Sequence, residues 1–257
     1  MAIRDLLPLS RWVRRRHAAP AGQRWYAIGD IHGRLDLLNE LIRAIDSDDE
    51  QRGVIDTRLL FLGDYIDRGP DSRAVIELMM KLDIGDDQVV FLSGNHEEVL
   101  LATADGNRRA AALFHKMGGR ETLLSYGVSA QDYDYADASG IVDLVRANIP
   151  TAHLHWLTTL RTAYRAGDYF FAHAGVRPGV PLGDQAASDL RWIRREFLSH
   201  PASHGAMVVH GHSVTAAIDE RPNRIGIDTG AYASGCLTAL GIEGEDRWYL
   251  QTGTAPA

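Results

Sequence analysis

Arg24-Trp25-Tyr26-Ala27-Ile28-Gly29-Asp30-Ile31-His32-Gly33, residues 24–33, is the stretch on which the reading of the fold turns. Four consecutive apolar residues, Trp25 to Ile28, read as a buried strand that stops at a glycine and then presents a carboxylate and an imidazole. The chain then repeats this grammar. Leu35, Leu38, Leu41, Ile42 and Ile45 recur at helical spacing, and Leu59 to Leu62 form a second apolar run ending in Gly63-Asp64-Tyr65-Ile66-Asp67-Arg68-Gly69. Val75, Leu78, Met79 and Leu82 make another helical stripe. Val89 to Leu92 then lead into Gly94-Asn95-His96-Glu97 and a helix over residues 97–104. The succession is β-α-β-α-β, the pattern of an α/β protein whose sheet is covered by helices.

Residues 105–165 have another texture. Helical stretches over 110–117 and 153–162 are separated by an acidic, tyrosine-containing segment, Gln131 to Gly140, expected to be a loop. This region reads as a mainly helical cap inserted into a single domain spanning 23–257. Its acidic residues are expected to border the crevice and restrict access. Strands follow at Tyr169–Ala172, Met207–Val209, Ile225–Ile227, Leu237–Ile242 and Trp248–Leu250, with one helix, Ser188–Leu198, between them. Residues 1–22 form a basic N-terminal extension, and residues 1–16 could make weak peripheral contact with an anionic membrane surface.

Composition narrows the chemistry. The 257 residues carry 27 Lys plus Arg against 34 Asp plus Glu, a net charge of −7, which argues against nucleic acid as the partner. The single cysteine, Cys236, excludes an intramolecular disulfide framework and suits a reducing, cytoplasmic compartment. No apolar run is long enough to span a membrane.

Two further apolar strands end in His173-Ala174-Gly175 and His210-Gly211-His212, so five runs stop at clusters of polar side chains. Ligands of open α/β sheets bind beyond the carboxyl ends of strands, where the five clusters can converge. Asp, Asn and His without thiolate make a mixed oxygen and nitrogen site suited to manganese, iron or zinc. There are too many donors for one ion, whereas two ions sharing a carboxylate use them well; Asp64, on the second strand, is the natural bridge.

The ordered set GDIHG, GDYIDRG, GNHE, HAG and HGH, spanning residues 29–212, resembles the signature of the phosphoprotein phosphatase family of Ser/Thr phosphatases, within the calcineurin-like metallophosphoesterases. The resemblance implies a two-sheet β-sandwich flanked by helices and a binuclear centre, with Mn2+ expected first and iron or zinc as alternatives. It implies Asp30, His32 and Asp64 as ligands of one metal, and Asp64, Asn95, His173 and His210 as ligands of the other. His96 is implied as general acid, oriented by Asp67, and Arg68 as a phosphate clamp to which Asn95 also contributes. A histidine with a pKa near 6.5 can protonate a leaving alkoxide, and an adjacent carboxylate favours the imidazolium. Arg194 is expected as a second clamp, ahead of Arg177, Arg191 and Arg195, because Trp-x-Arg in this interval resembles that of bacterial members. Tyr232 resembles a site-lining, phosphate-contacting tyrosine, and His212 is expected to support His210 or the bridging water.

Other phosphate chemistries lack their residues. Cys236 is followed six positions on by Ile242 in place of the arginine of thiol phosphatases, and no Gly-x-Ser-x-Gly or phosphate-loop motif occurs. The expected reaction is hydrolysis of a phosphate ester by direct attack of a hydroxide bridging two metals. The substrates expected first are phosphorylated proteins or small phosphomonoesters, through a protein Ser/Thr phosphatase. The alternatives are a symmetrical dinucleoside tetraphosphate hydrolase, in which Ala-Arg-Gly typically replaces the Asp-Arg-Gly of residues 67–69, and a catalytically silent metal-binding relative.

Overall fold

The computed structural model describes residues 17–253; the reading of residues 1–16 as a basic, membrane-contacting segment lies outside them. The chain runs through β1 (Gln23–Ile28), α1 (Leu35–Arg52), β2 (Asp56–Phe61), α2 (Ser72–Leu82) and β3 (Val89–Phe91). Six helices follow: α3 (Asn95–Ala104), α4 (Arg108–Lys116), α5 (Gly119–Ser125), α6 (Ala130–Tyr135), α7 (Ala138–Asn148) and α8 (Thr151–Thr159). The second half contains β4 (Ala163–Ala166), β5 (Tyr169–Ala172), α9 (Ala187–Trp192), α10 (Arg195–Leu198), β6 (Met207–His210), β7 (Asp219–Glu220) and β8 (Arg224–Gly226). It closes with α11 (Ala231–Ser234), β9 (Thr238–Glu243) and β10 (Asp246–Gln251).

The strands form two five-stranded mixed sheets, ordered β10-β9-β1-β2-β3 and β4-β5-β6-β8-β7. In each, three adjacent strands are parallel, β1, β2 and β3 in one and β5, β6 and β8 in the other. Side chains alternate across a strand, and this sorts the apolar runs into two layers. Trp25, Ala27, Leu60, Leu62, Val90 and Leu92 face Tyr169, Phe171, Met207 and Val209 in the core between the sheets. Their neighbours Tyr26, Ile28, Phe61 and Phe91 face outward under α1, α2 and the helical region. Phe170, Ala172 and Val208 point the other way, under α9 and α10. Burial on both faces explains why these strands read as continuous apolar runs. Truncating a central member such as Phe171 would cost about 3–5 kcal/mol.

Three local expectations are corrected. Gln131 to Gly140 is not a loop: α6 and the start of α7 occupy it, because Ser129 and Asp137 accept backbone N–H bonds as N-caps. Its Tyr133 is buried with its ring stacked on His115, and Asp134 pairs with Arg120, so this segment is part of the packed helical layer and its acidic residues are used within it. The helix expected over Ser188–Leu198 is two, broken at Ile193 and Arg194, where Arg194 leaves helical geometry at φ −133° and ψ −98°. Residues 163–165, assigned to the helical cap, belong to edge strand β4.

Candidate metal centre

The carboxyl ends of β1, β2, β3, β5 and β6 lie at one edge of the sandwich, and the polar clusters beyond them meet there. Among the described residues, five non-glycine residues have positive φ: His32, Asp64, Asp67, Arg68 and His212. All five lie in these loops. Such backbone costs of order 1–3 kcal/mol per residue and persists where the surroundings enforce it, so strain is concentrated at this edge. Close approach also requires glycine. A Cβ on Gly94 would lie 2.1 Å from Asp64 Oδ1, and one on Gly211 would lie 1.9 Å from Asp30 Oδ1.

Asp64 sits at the centre. Its Oδ2 is 3.4 Å from His173 Nε2, 3.6 Å from His32 Nε2 and 3.7 Å from His96 Nε2. His173 Nε2 also lies 3.0 Å from Asn95 Oδ1 and 3.2 Å from His212 Nδ1. The opposite ring nitrogens of His32 and His173 are engaged by backbone carbonyls, Ile66 O at 2.8 Å and Leu62 O at 3.0 Å. Each Nε2 is thereby left as a lone pair aimed at the cluster, as metal-ligating histidines usually are when the other ring N–H donates to a carbonyl. The ligand atoms of Asp64, His173 and His212 all fall within 4.8 Å of one another, as do those of His32, Asp64 and His96.

Burial sets the charge states. It pulls His32 down to about 3 and His212 to about 2, keeping both imidazoles neutral, the form that binds metals. Burial also disfavours the Asp64 carboxylate, yet His173, His96 and His32 hold it well below the ordinary range. Asp30 is pushed well above that range by burial and by Asp228 and Asp64 nearby. Three buried atoms in these loops, Asp30 Oδ1, His212 Nε2 and Ser213 Oγ, have no hydrogen-bond partner among the described residues. Crowded carboxylates, neutral imidazoles and partnerless buried acceptors together fit divalent metal ions.

The structure brings Asp30, His32, Asp64, Asn95 and His173 together as expected, but it exchanges the last two histidines. His210 lies on the same face of β6 as Val208, packed against Phe197, with Arg224 Nη1 at 3.3 Å from Nε2 and Gly211 O at 3.0 Å from Nδ1. Both ring nitrogens are committed, one to a guanidinium. His212 lies beyond the strand, where φ of 61° turns its ring onto His173. His212, and not His210, faces the cluster around Asp64.

His96 and Asp67 form the expected pair, Nδ1 to Oδ2 at 2.6 Å. Burial lowers the His96 pKa, but Asp64 and Asp67 outweigh it and leave it raised. Arg68 Nη2 stands 3.2 Å from His96 Nε2. The Arg68 guanidinium lies over the Tyr232 ring, 4.6 Å from its centre, and Tyr232 in turn meets His32 edge-on. Of the four candidate arginines, Arg177 is held by Asp189 and Glu196, and Arg191 by Glu98. Arg194 and Arg195 have no ion pair among the described residues, and the charge of Arg194 is felt at His212.

Several contributors escaped the sequence reading. Glu97, fully buried, accepts the N–H groups of Asp64, Tyr65 and Gly94, and burial raises its pKa to about 7. It ties the second cluster to the third. Thr122 of α5 donates to Asp67 Oδ1 at 2.6 Å, and Gly118 O accepts from Arg68 N–H at 3.1 Å. The helical layer therefore reaches the site through α5, not through residues 131–140. Asp228, buried beside Asp30, follows Ile225-Gly226-Ile227 and precedes Gly230, a sixth apolar run that stops at polar side chains and glycine.

A family model described as calcineurin-like phosphoesterase matches residues 24–230. The chain belongs to that family. This phosphoesterase is 24% identical over 280 residues to the symmetrical bis(5'-nucleosyl)-tetraphosphatase of Nitrosospira multiformis, covering 88% of this chain and 94% of the relative. It is 26% identical over 233 residues to the asymmetrical bis(5'-nucleosyl)-tetraphosphatase PrpE of Anoxybacillus flavithermus, covering 83% and 88%. A crystal structure provisionally assigned as a diadenosine tetraphosphatase superposes with a TM-score of 0.61 at 21% identity, over 92% of this chain and all of that one. The last likeness speaks to the fold alone. No helix among the described residues is long and apolar enough to cross a membrane.

Proposed function

We propose that this phosphoesterase hydrolyses dinucleoside tetraphosphates at a two-metal centre. The observation that carries the chemistry is that Asp30 Oδ1 and His212 Nε2, buried in the loops around Asp64, have no hydrogen-bond partner among the described residues. Asp30, His32 and Asp64 would hold one ion, and Asp64, Asn95, His173 and His212 the other; Mn2+ is the first choice and iron or zinc the alternatives. Bound ions would supply Lewis acidity and a nucleophile at neutral pH. Around them, Arg68 and Arg194 hold phosphoryl oxygens, with Tyr232 orienting the Arg68 guanidinium. Glu97 fixes the backbone around Asp64 by accepting the N–H groups of Asp64, Tyr65 and Gly94. His96 presents Nε2 to the leaving oxygen, while Asp67, itself held by Thr122, fixes the ring through Nδ1.

The sequence placed phosphorylated proteins first and dinucleotides second. The two relatives named above, each similar along most of the chain, carry the tetraphosphatase name, which supports the opposite order. A second reading, phosphomonoester hydrolysis including phosphoserine, is favoured by the His96–Asp67 pair. An alkoxide leaving group needs a proton, whereas a nucleotide phosphate, the anion of a much stronger acid, leaves without one. Product analysis with Mn2+, using diadenosine tetraphosphate and a phosphoserine peptide in parallel, separates the readings. We expect kcat/KM for the dinucleotide to be the higher. The reverse order would transfer the function to the second reading, and no metal-dependent turnover of either would reject both.

A further inference from the structure

Beside the centre, α9 and α10 enclose a cleft of about 420 Å³ lined by Trp192, Ile193, Arg194, Arg195 and Ser188. Trp192 is 37% exposed, unusual for a large aromatic ring, and its ring centre lies 6.4 Å from that of His212. The indole is fixed in place: its Nε1–H donates to Glu98 Oε2 at 2.8 Å, and the same oxygen accepts from Arg191 Nε at 2.7 Å. Glu98 belongs to α3, the helix that also carries Asn95 and His96, so the indole is referenced to the reacting groups. The helix break at Ile193 and Arg194 turns the chain at this point. Arg177, the third guanidinium on the cleft, is neutralised by Asp189 and Glu196, which leaves Arg194 and Arg195 as its uncommitted cations.

An oriented, partly exposed indole close to His212, next to two guanidiniums with no ion pair among the described residues, matches a planar ring joined to several phosphates. We infer that this cleft is the subsite for one nucleoside diphosphate half of the substrate, with the base stacked on Trp192 and the phosphates beyond the reacting one held by Arg195. The inference rests on the reading of the site as one that takes nucleoside polyphosphates, and it adds which residues recognise the nucleoside.

Calorimetric titration of the Mn2+-loaded full chain with ADP and with pyrophosphate measures the contribution of the nucleoside directly, since the two probes differ by that group. Wild type should prefer ADP. Trp192→Leu should shrink that preference about tenfold, as expected for loss of one stacked base, and Trp192→Phe should restore most of it. Arg195→Ala should weaken ADP severalfold. Equal binding of the two probes by wild type, or a preference untouched by Trp192→Leu, would overturn the subsite. A Trp192-dependent preference in a protein that fails to cleave diadenosine tetraphosphate would instead sustain the subsite and reject the proposed substrate.

Discussion

The two ends of β1 bury charge in opposite ways. At its start Arg24 is 1% exposed, yet every guanidinium nitrogen has an acceptor. Nε donates to Glu243, Nη1 to the Asp49 carboxylate and to Asp49 O and Gly53 O, and Nη2 to Arg52 O. Those carbonyls end α1, where a cation also complements the helix dipole. Just past the other end of the strand, Asp30 is equally buried but keeps one oxygen without a partner, amid carboxylates that raise its pKa. The first arrangement is complete within the protein. The second is complete only with a cation from outside, and this difference separates a structural charge cluster from a binding site.

The sharpest way to break the comparison is to remove charge from each end. Asp64→Ala should lower kcat/KM for a small aryl phosphate by at least about a thousandfold and reduce bound metal, measured by elemental analysis, because both ions lose a ligand. His96→Ala should lower kcat for an alkyl phosphate by about 10²–10⁴-fold with metal content intact; loss of metal would mean that His96 is a ligand after all. The pH profile sharpens the same point. A general acid must be protonated, so kcat should fall as pH rises through the raised pKa of His96, and Asp67→Asn should move that alkaline limb to lower pH.

A smaller effect separates the two histidines of the fifth cluster. His212→Ala should weaken metal binding by more than the roughly 10–100-fold typical of losing an outer partner, whereas His210→Ala, whose ring meets Phe197 and Arg224, should leave it within severalfold. Reversal of this order would restore His210 to the centre. The least catalytic effect belongs to the start of β1. Arg24→Met should cost about 2–4 kcal/mol in denaturant unfolding, below the range for a fully buried pair because Asp49 and Glu243 can rehydrate, with kcat unchanged.

The alternation of burial along β6 also shows what the sequence could have revealed. Val208 and His210 share a face by the period of two, so His210 belongs under α10 and the free position lies past the strand, at His212. The convergence of Asp30, Asp64, Asn95 and His173 was legible because each directly follows, or lies within three residues of, an apolar run that can only be a buried strand. Asp228 obeyed the same rule and was passed over. Other features had no local signal. Thr122 reaches Asp67 across 55 residues of chain, and Glu97 acts through backbone N–H groups that leave no trace in composition. The segment 131–140 misled because Ser129 and Asp137 cap helices, a role for which loop-forming residues are equally suited.

Crystals of the full chain grown with Mn2+ and measured at its absorption edge would test the central claim most directly. The account predicts two anomalous peaks about 3.5–4 Å apart, as in two-metal sites, one touching Asp30, His32 and Asp64, the other Asp64, Asn95, His173 and His212. A single peak, or none within reach of Asp64, would contradict it.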